Sequence, residues 1–347
     1  MPAKRFYSMK RILISLSIIC LVATSCVTED VPADTPSGNL EFLWKILDRH
    51  YCFFDEKKAE YGVDWDEVRA RYAAQVTPGM TNMQLFDLCA QMLAELRDGH
   101  VNLTASHDMA RYWKWNEDFP VNYSDSIMRR YIGTDYRMAS GIKYRVLEDP
   151  AGNIGYMRVA TFENGIGTGN LSEIFRAFSL CKGVVVDVRG NGGGMITSAE
   201  RLAECFVVEK TTVAYMRHKD GPGHNDFSSL KAVKISPSEG ARWLRPVVVL
   251  TSRGTYSAAN TFVMYVKDLP QVTVIGDRTG GGAGMPFNSE LPNGWIVRFS
   301  ACPMYDINKQ STEEGIDPDV KVDISSDDWQ RGVDTILDTA LQRLRSK

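Results

Sequence analysis

The segment Val247-Val248-Val249-Leu250-Thr251-Ser252-Arg253-Gly254-Thr255-Tyr256-Ser257-Ala258-Ala259-Asn260 leaves few local structures open. Its apolar, β-branched start predicts a strand, Gly-Thr-Tyr-Ser predicts a tight turn, and the run from Ala258 onward predicts a helix. Ser257 then stands at the positive end of a helix dipole. A lone serine there would ordinarily be an N-cap. Two further segments alter that reading: Asp98-Gly99-His100, and the glycine loop Asp187-Val188-Arg189-Gly190-Asn191-Gly192-Gly193-Gly194. Together the three supply a nucleophile, a base and an oxyanion cradle.

The same alternation runs through the C-terminal two thirds of the chain. Strands are predicted at 142–147, 154–160, 184–188, 247–251, 272–275 and 295–300, with helices at 171–180, 196–206 and 258–269, which argues an α/β core. The region before it is helical. Leu43, Ile46 and Leu47 recur at helical spacing, a second helix spans 65–76 and a third 81–96, with Thr81 and Gln84 as a capping box and Leu85, Leu88, Met92 and Leu96 as its apolar stripe. We therefore expect an N-terminal helical subdomain over 38–104 and an α/β core over 105–347. Residues 208–245, polar and broken by Pro222 and Pro237, read as an insertion able to cover a cleft.

The first residues carry an address. Lys4, Arg5, Lys10 and Arg11 precede an apolar stretch from Ile12 to Ala23, too short to span a membrane comfortably, so 1–26 reads as a secretory signal. Its end, Leu21-Val22-Ala23-Thr24-Ser25-Cys26, resembles a bacterial lipobox. This implies that Cys26 is lipidated and that the protein is lipid-anchored at the bacterial cell envelope, periplasmic or on the outer-membrane surface, with 27–37 as a flexible tether. A formal charge of -3 offers no basic face, and nucleic acid is not expected as a partner. The remaining cysteines, Cys52, Cys89, Cys181, Cys205 and Cys302, are odd in number and irregularly spaced, as small buried hydrophobes are. No CxxC or HExxH spacing is present, so neither a metal nor a cofactor is expected. The sequence leaves the oligomeric state open.

A hydroxyl is a poor nucleophile near neutral pH and needs a base in reach, for which imidazole has the suitable pKa. Of five histidines, His50 lies in a helix, His107 in a polar loop, and His218 and His224 in the insertion. Only His100 ends a strong helix on a glycine-hinged turn. For the developing oxyanion, Gly193 can turn its amide inward without a Cβ in the way, and Ala258 offers a second amide at the helix start. The absence of a following Lys-Ser/Thr argues against a phosphate loop. Asp187 and Arg189 read as a buried positioning pair, and Gly315-Ile316-Asp317-Pro318-Asp319 as a structural bend.

In this order the motifs resemble the tail-specific (C-terminal processing) and tricorn-type serine peptidases, over most of residues 40–325. Leu96 to Val101 is similar to that family's Leu-x-Asp-Gly-His segment, Gly183 to Gly194 to its strand and glycine loop, and Thr255 to Asn260 to its nucleophile turn. Val274 to Gly281 matches the following strand, and Glu314 to Asp319 the closing block. The resemblance implies a Clp-protease/crotonase-like core and peptide hydrolysis through an acyl-enzyme on Ser257, with His100 as general base and an extended polypeptide as substrate. No lysine follows Thr279, and Lys267 lies ten residues beyond Ser257, nearly three helical turns away. This sorts the chain into the serine-histidine subtype. A carboxylate near the closing block is implied as support for the base, with Glu313 and Glu314 both candidates. Tricorn-type enzymes carry a serine before the histidine, whereas Gly99 stands here, and many relatives have an acid where this chain has Asn260. About forty residues between Leu103 and the next core strands leave no room for a PDZ module. The rival expectations are a non-catalytic binding lipoprotein on the same scaffold and, by fold analogy alone, a crotonase-like acyl-CoA enzyme.

Overall fold

The computed structural model describes residues 32–347. The signal segment 1–26 with Cys26, and tether residues 27–31, lie outside the described residues. The first helix, α1 (Pro36–His50), starts inside the expected tether because Thr35 caps it, accepting from Gly38 N–H at 3.1 Å, with proline at the first helical position. It is followed by α2 (Phe54–Tyr61), α3 (Trp65–Ala73) and α4 (Asn82–Ala94). The last of these carries the reciprocal capping box: Gln84 N–H donates to Thr81 Oγ1 and Thr81 N–H to the Gln84 side chain.

Two sheets follow. Strands β1 (Asn102–Thr104) and β2 (Met109–Arg111) form a hairpin, then come short helices α5 (Lys114–Glu117) and α6 (Asp125–Ile132) and strands β3 (Arg137–Ala139), β4 (Ile142–Leu147) and β5 (Ile154–Arg158). The rest runs α7 (Thr168–Ala177), β6 (Gly183–Asp187), α8 (Ile196–Glu204), β7 (Thr211–Met216), β8 (Lys231–Ile235), β9 (Val247–Thr251) and α9 (Ala258–Val266). It ends with β10 (Val272–Gly276), β11 (Gly284–Glu290), β12 (Ile296–Tyr305), β13 (Val320–Lys321), α10 (Ser326–Arg331) and α11 (Thr335–Arg345). The large sheet has the order β13-β10-β9-β6-β5-β4-β3, parallel from β13 to β5 and antiparallel beyond. The small sheet, β2-β1-β12-β7-β8 with β11 also on β12, is antiparallel throughout.

Central strands of a parallel sheet are covered on both faces, which is why β6 and β9 read as unbroken apolar runs. On one face Val184, Val186 and Val249 pack on α9 through Phe262. On the other, Val185, Val248 and Leu250 meet Ile336 and Leu337 of α11. The helices α1 and α4 lean on the small sheet, where Leu43, Leu88 and Met92 share a core with Leu103, Val297 and Phe299, and α3 packs on both helices. The helical region and the α/β core are thus joined through β1, which pairs with β12 in the small sheet.

The segment 208–245 is not a cover for the cleft. It contributes β7 and β8 to the small sheet, and its loop docks on the helical region, with His224 Nε2 2.7 Å from Asp48 and its ring stacked on Phe54. Cys52, Cys89, Cys181 and Cys205 are free and buried, and Cys302 is partly so.

The glycine loop is anchored at its root by a buried ion network. Arg189, with no solvent exposure, holds Asp187 at 2.7 Å and Asp334 at 2.8 Å and donates to the Asn122 carbonyl, while Tyr156 hydroxyl donates to Asp187 at 2.8 Å. Asp334 also caps α11 through Leu337 N–H. Removing the guanidinium strands two buried carboxylates, so Arg189→Met should lose about 3–5 kcal/mol of stability. Chemical denaturation of the two proteins checks this.

Candidate active site

Open α/β sheets place their sites outside the carboxyl ends of the strands. Here the ends of β6 and β9 each release a loop into one crevice. After β9 the chain turns so sharply that Ser257 has φ 56° and ψ -123°, a left-handed backbone for a residue with a Cβ. Such strain persists only where surrounding bonds over-determine it. Ser257 N–H donates to Gly281 O at 2.8 Å, Tyr256 N–H to Asn191 O at 2.9 Å, and Thr255 Oγ1 to Val188 O at 2.9 Å. The hydroxyl does not cap α9; it lies 2.9 Å from His100 Nε2. The sharp strand-to-helix corner that exposes a serine oxygen is the geometry of a nucleophile elbow.

His100 arrives from the opposite side of the crevice, on the turn between α4 and β1. Its N–H donates to Asp98 Oδ1 at 2.7 Å, and Asp98 Oδ2 accepts from Tyr51 hydroxyl and Ser300 hydroxyl, both at 3.0 Å. Asp98 thereby locks the turn to α1 and to β12. The imidazole is buried, and burial lowers its pKa to about 4. The charge of Asp98 opposes this, while Arg298 and Arg111 reinforce it. The ring is therefore neutral at neutral pH, the state in which Nε2 can accept the serine proton.

Two expectations need correction. Neither Glu313 nor Glu314 bonds the imidazole, whose Nδ1 has no partner among the described residues. Glu313 accepts from Ala283 N–H at 2.8 Å and lies 4.0 Å from Lys57, while Glu314 takes Lys57 at 2.7 Å and Tyr61 hydroxyl at 3.2 Å. Both acids are drawn to a buried lysine on α2, so their work is to tie the closing block to the helical region. Burial opposes the charge on Lys57, but the two carboxylates outweigh it and hold its pKa above the ordinary value. Burial, then the charge of Asp98, push the Glu313 carboxyl well above the usual range.

The second correction concerns Gly193. Its amide donates to Asn191 Oδ1 at 2.9 Å and is already engaged. What the glycine provides is room: a Cβ there would lie 2.7 Å from Ser257 Cβ and 3.0 Å from Ala258 N, at φ 101°. Ala258, buried at the head of α9, keeps an N–H with no acceptor among the described residues. Gly194 pairs with Phe162 through its neighbours' groups, Gly193 O and Met195 N, so its own N–H points the other way.

Sequence reasoning missed the packing around Gly99. A Cβ at that position would lie 2.6 Å from Trp115 Nε1 and 2.7 Å from Tyr256 hydroxyl, so these two stacked rings fill the space a serine would need. The signal was available only in the identity of Tyr256, next to Ser257. Asn260 is buried and structural: it accepts from Thr279 Oγ1 at 2.6 Å and donates to Thr312. Lys267 lies beyond α9, near Asp319 at 3.6 Å.

The comparisons agree with this architecture. Residues 153–322 match the model of peptidase family S41 and residues 32–94 that of the tricorn protease C1 domain. The solved structure of a candidate peptidase from Parabacteroides merdae is 51% identical, with 90% of this chain and 97% of that chain covered and a TM-score of 0.84. Mature CPAF, at 11% identity, 90% and 99% coverage and a TM-score of 0.71, shares the fold. The chloroplastic C-terminal processing peptidase of Tetradesmus obliquus is 30% identical over 177 residues, which is 49% of this chain and 35% of the relative. The chain matches only about a third of the length of such curated relatives. It belongs to peptidase family S41.

The low proton affinity of His100 is measurable without a substrate. Long-range 1H–15N spectra should show its ring neutral through pH 5 and titrating near pH 4, below the ordinary imidazole value.

Proposed function

We propose that the protein is a serine endopeptidase that cleaves extended polypeptides through an acyl-enzyme on Ser257. The observation that carries this reading is the 2.9 Å approach of Ser257 Oγ to Nε2 of a buried imidazole, beside an elbow whose hydroxyl caps nothing. His100 takes the hydroxyl proton as Ser257 Oγ attacks the scissile carbonyl carbon. The imidazolium then gives that proton to the departing amine, and water hydrolyses the ester by the same base in reverse. The Ala258 amide, at the positive end of α9, donates to the oxyanion, a contribution of roughly 2.7–4 kcal/mol per donor. The outward-facing Gly194 edge suits an extended peptide added as a strand. The Tyr256 ring packs beside the base, ring centroids 5.0 Å apart, and Trp115 stacks on Tyr256 from behind.

The protein is further read as a lipoprotein acylated at Cys26 and held at the cell envelope. The support is the basic start, the short apolar run and the small residues before Cys26. Palmitate labelling should be lost in Cys26→Ala; labelling that persists in this variant rejects the anchor.

A fluorophosphonate should label the wild type and fail on Ser257→Ala. His100→Ala should lower kcat for a quenched peptide by about 10⁴-fold or more while the fold is retained. If Ser257→Ala retains both labelling and turnover, another nucleophile does the chemistry.

A further inference from the structure

The wall of the crevice beside His100 is the outer end of the small sheet, and its register sorts the side chains into rows. Asn102 of β1 faces Arg111 of β2 on one side and Arg298 of β12 on the other, and Thr104 likewise faces Met109 and Ile296. Residues paired directly across strands share one face. All six line a cavity of about 450 Å3 that also holds His100 and Ser257. A cationic row therefore lies nearest the nucleophile and an apolar row further out.

No carboxylate answers the two guanidinium groups. Arg111 spends Nε on the Gly99 carbonyl at 2.6 Å and lies over the Trp113 ring, and neither it nor Arg298 forms an ion pair among the described residues. The acid in the same cavity, Glu163, is exposed on the facing wall. The two guanidinium groups are not direct cross-strand partners; each faces Asn102 from a neighbouring strand, with β1 between them. Burial, with the charge of Arg298 adding to it, lowers the pKa of Arg111. An anion entering between the two would relieve the repulsion and could take a fork from each. Arg298 also borders a second cavity of about 150 Å3 that opens from Ser257 and is walled by Ala258, Ala283, Met285 and Met304. That cavity fits a small apolar side chain, and it places the cations within a residue or two of the bond beside Ser257.

We propose that Arg111 and Arg298 form a carboxylate subsite, so that the favoured substrate carries a carboxylate, from an acidic side chain or from its own C-terminus, next to a small apolar residue at the scissile bond. The proposal rests on the peptidase reading of Ser257. Three peptides of one apolar-centred sequence separate the sources: a Gln-containing amide, the same with Glu in place of Gln, and the Gln peptide as a free acid. Each is measured twice, by kcat/KM on the wild type and by fluorescence anisotropy on Ser257→Ala, so that binding is read even where no cleavage occurs.

One or both carboxylate peptides should exceed the neutral amide by about tenfold or more in affinity and in kcat/KM. The Glu amide identifies the side-chain source and the free acid the terminal one. Arg298→Glu should abolish or invert the ratio and Arg298→Lys should keep part of it, with fluorophosphonate labelling of Ser257 reporting whether the site is intact in each. Equal affinity of all three peptides, no binding by any, or a ratio unchanged in Arg298→Glu overturns the subsite. Lack of labelling and turnover alongside preferential binding to Ser257→Ala would instead refute the peptidase reading and leave the subsite standing.

Discussion

The left-handed backbone at Ser257 is the constraint on which the site depends. A residue with a Cβ held there costs on the order of 1–3 kcal/mol, and only neighbours that bond both sides of the turn can hold it. Those neighbours come from the two glycine segments: Asn191 O takes Tyr256 N–H, and Gly281 O takes Ser257 N–H. Both segments must approach closely. A Cβ on Gly193 would press on Ser257, and one on Gly281 would fall 1.8 Å from the Glu313 carbonyl. The glycines serve the elbow's geometry first and the chemistry through it.

The nucleophile and its base belong to different parts of the molecule. Ser257 is carried by the parallel sheet, whereas His100 follows the last helix of the N-terminal region, and their meeting depends on how that region seats. Three sets of bonds fix the seat: Asp98 with Tyr51 and Ser300, Lys57 with Glu313 and Glu314, and the pairing of β1 with β12. This gives the two acids a purpose other than contact with the imidazole. They fasten the closing block, which also bonds α9 through Asn260, to α2 of the helical region from which the base emerges.

Legibility in the sequence followed the range of the interactions. The elbow at Ser257, the capping box at Thr81 and Gln84 and the apolar runs of β6 and β9 are written within a few residues, and they were readable. His100 stood out because it alone among the histidines ended a strong helix on a glycine turn. The mixed α/β class and the helical N-terminal region followed from periodicity. The small sheet was missed in large part because β1 and β2 are three residues long and β8 is largely exposed, too short or too polar to show a period. The engaged amide of Gly193 depends on which way the Asn191 side chain turns. The direction of Glu313 and Glu314 depends on a lysine some 250 residues earlier, and no spacing rule connects them.

The burial that positions His100 also weakens it as a base, and the paired arginines deepen the effect. Proton transfer from serine is easiest when the pKa of the base lies near the working pH. Burial sets most of this, and the arginines add the part that a bound group of opposite charge can offset. A carboxylate seated between Arg111 and Arg298 does this by charge alone, raising the proton affinity of His100 as it docks. It would also stabilise the imidazolium that forms as the serine proton moves. Binding and activation are then coupled through one electrostatic term, and a substrate lacking the carboxylate should lose turnover as well as affinity. The arginine field that disfavours proton transfer becomes, on this account, a means of discriminating between substrates.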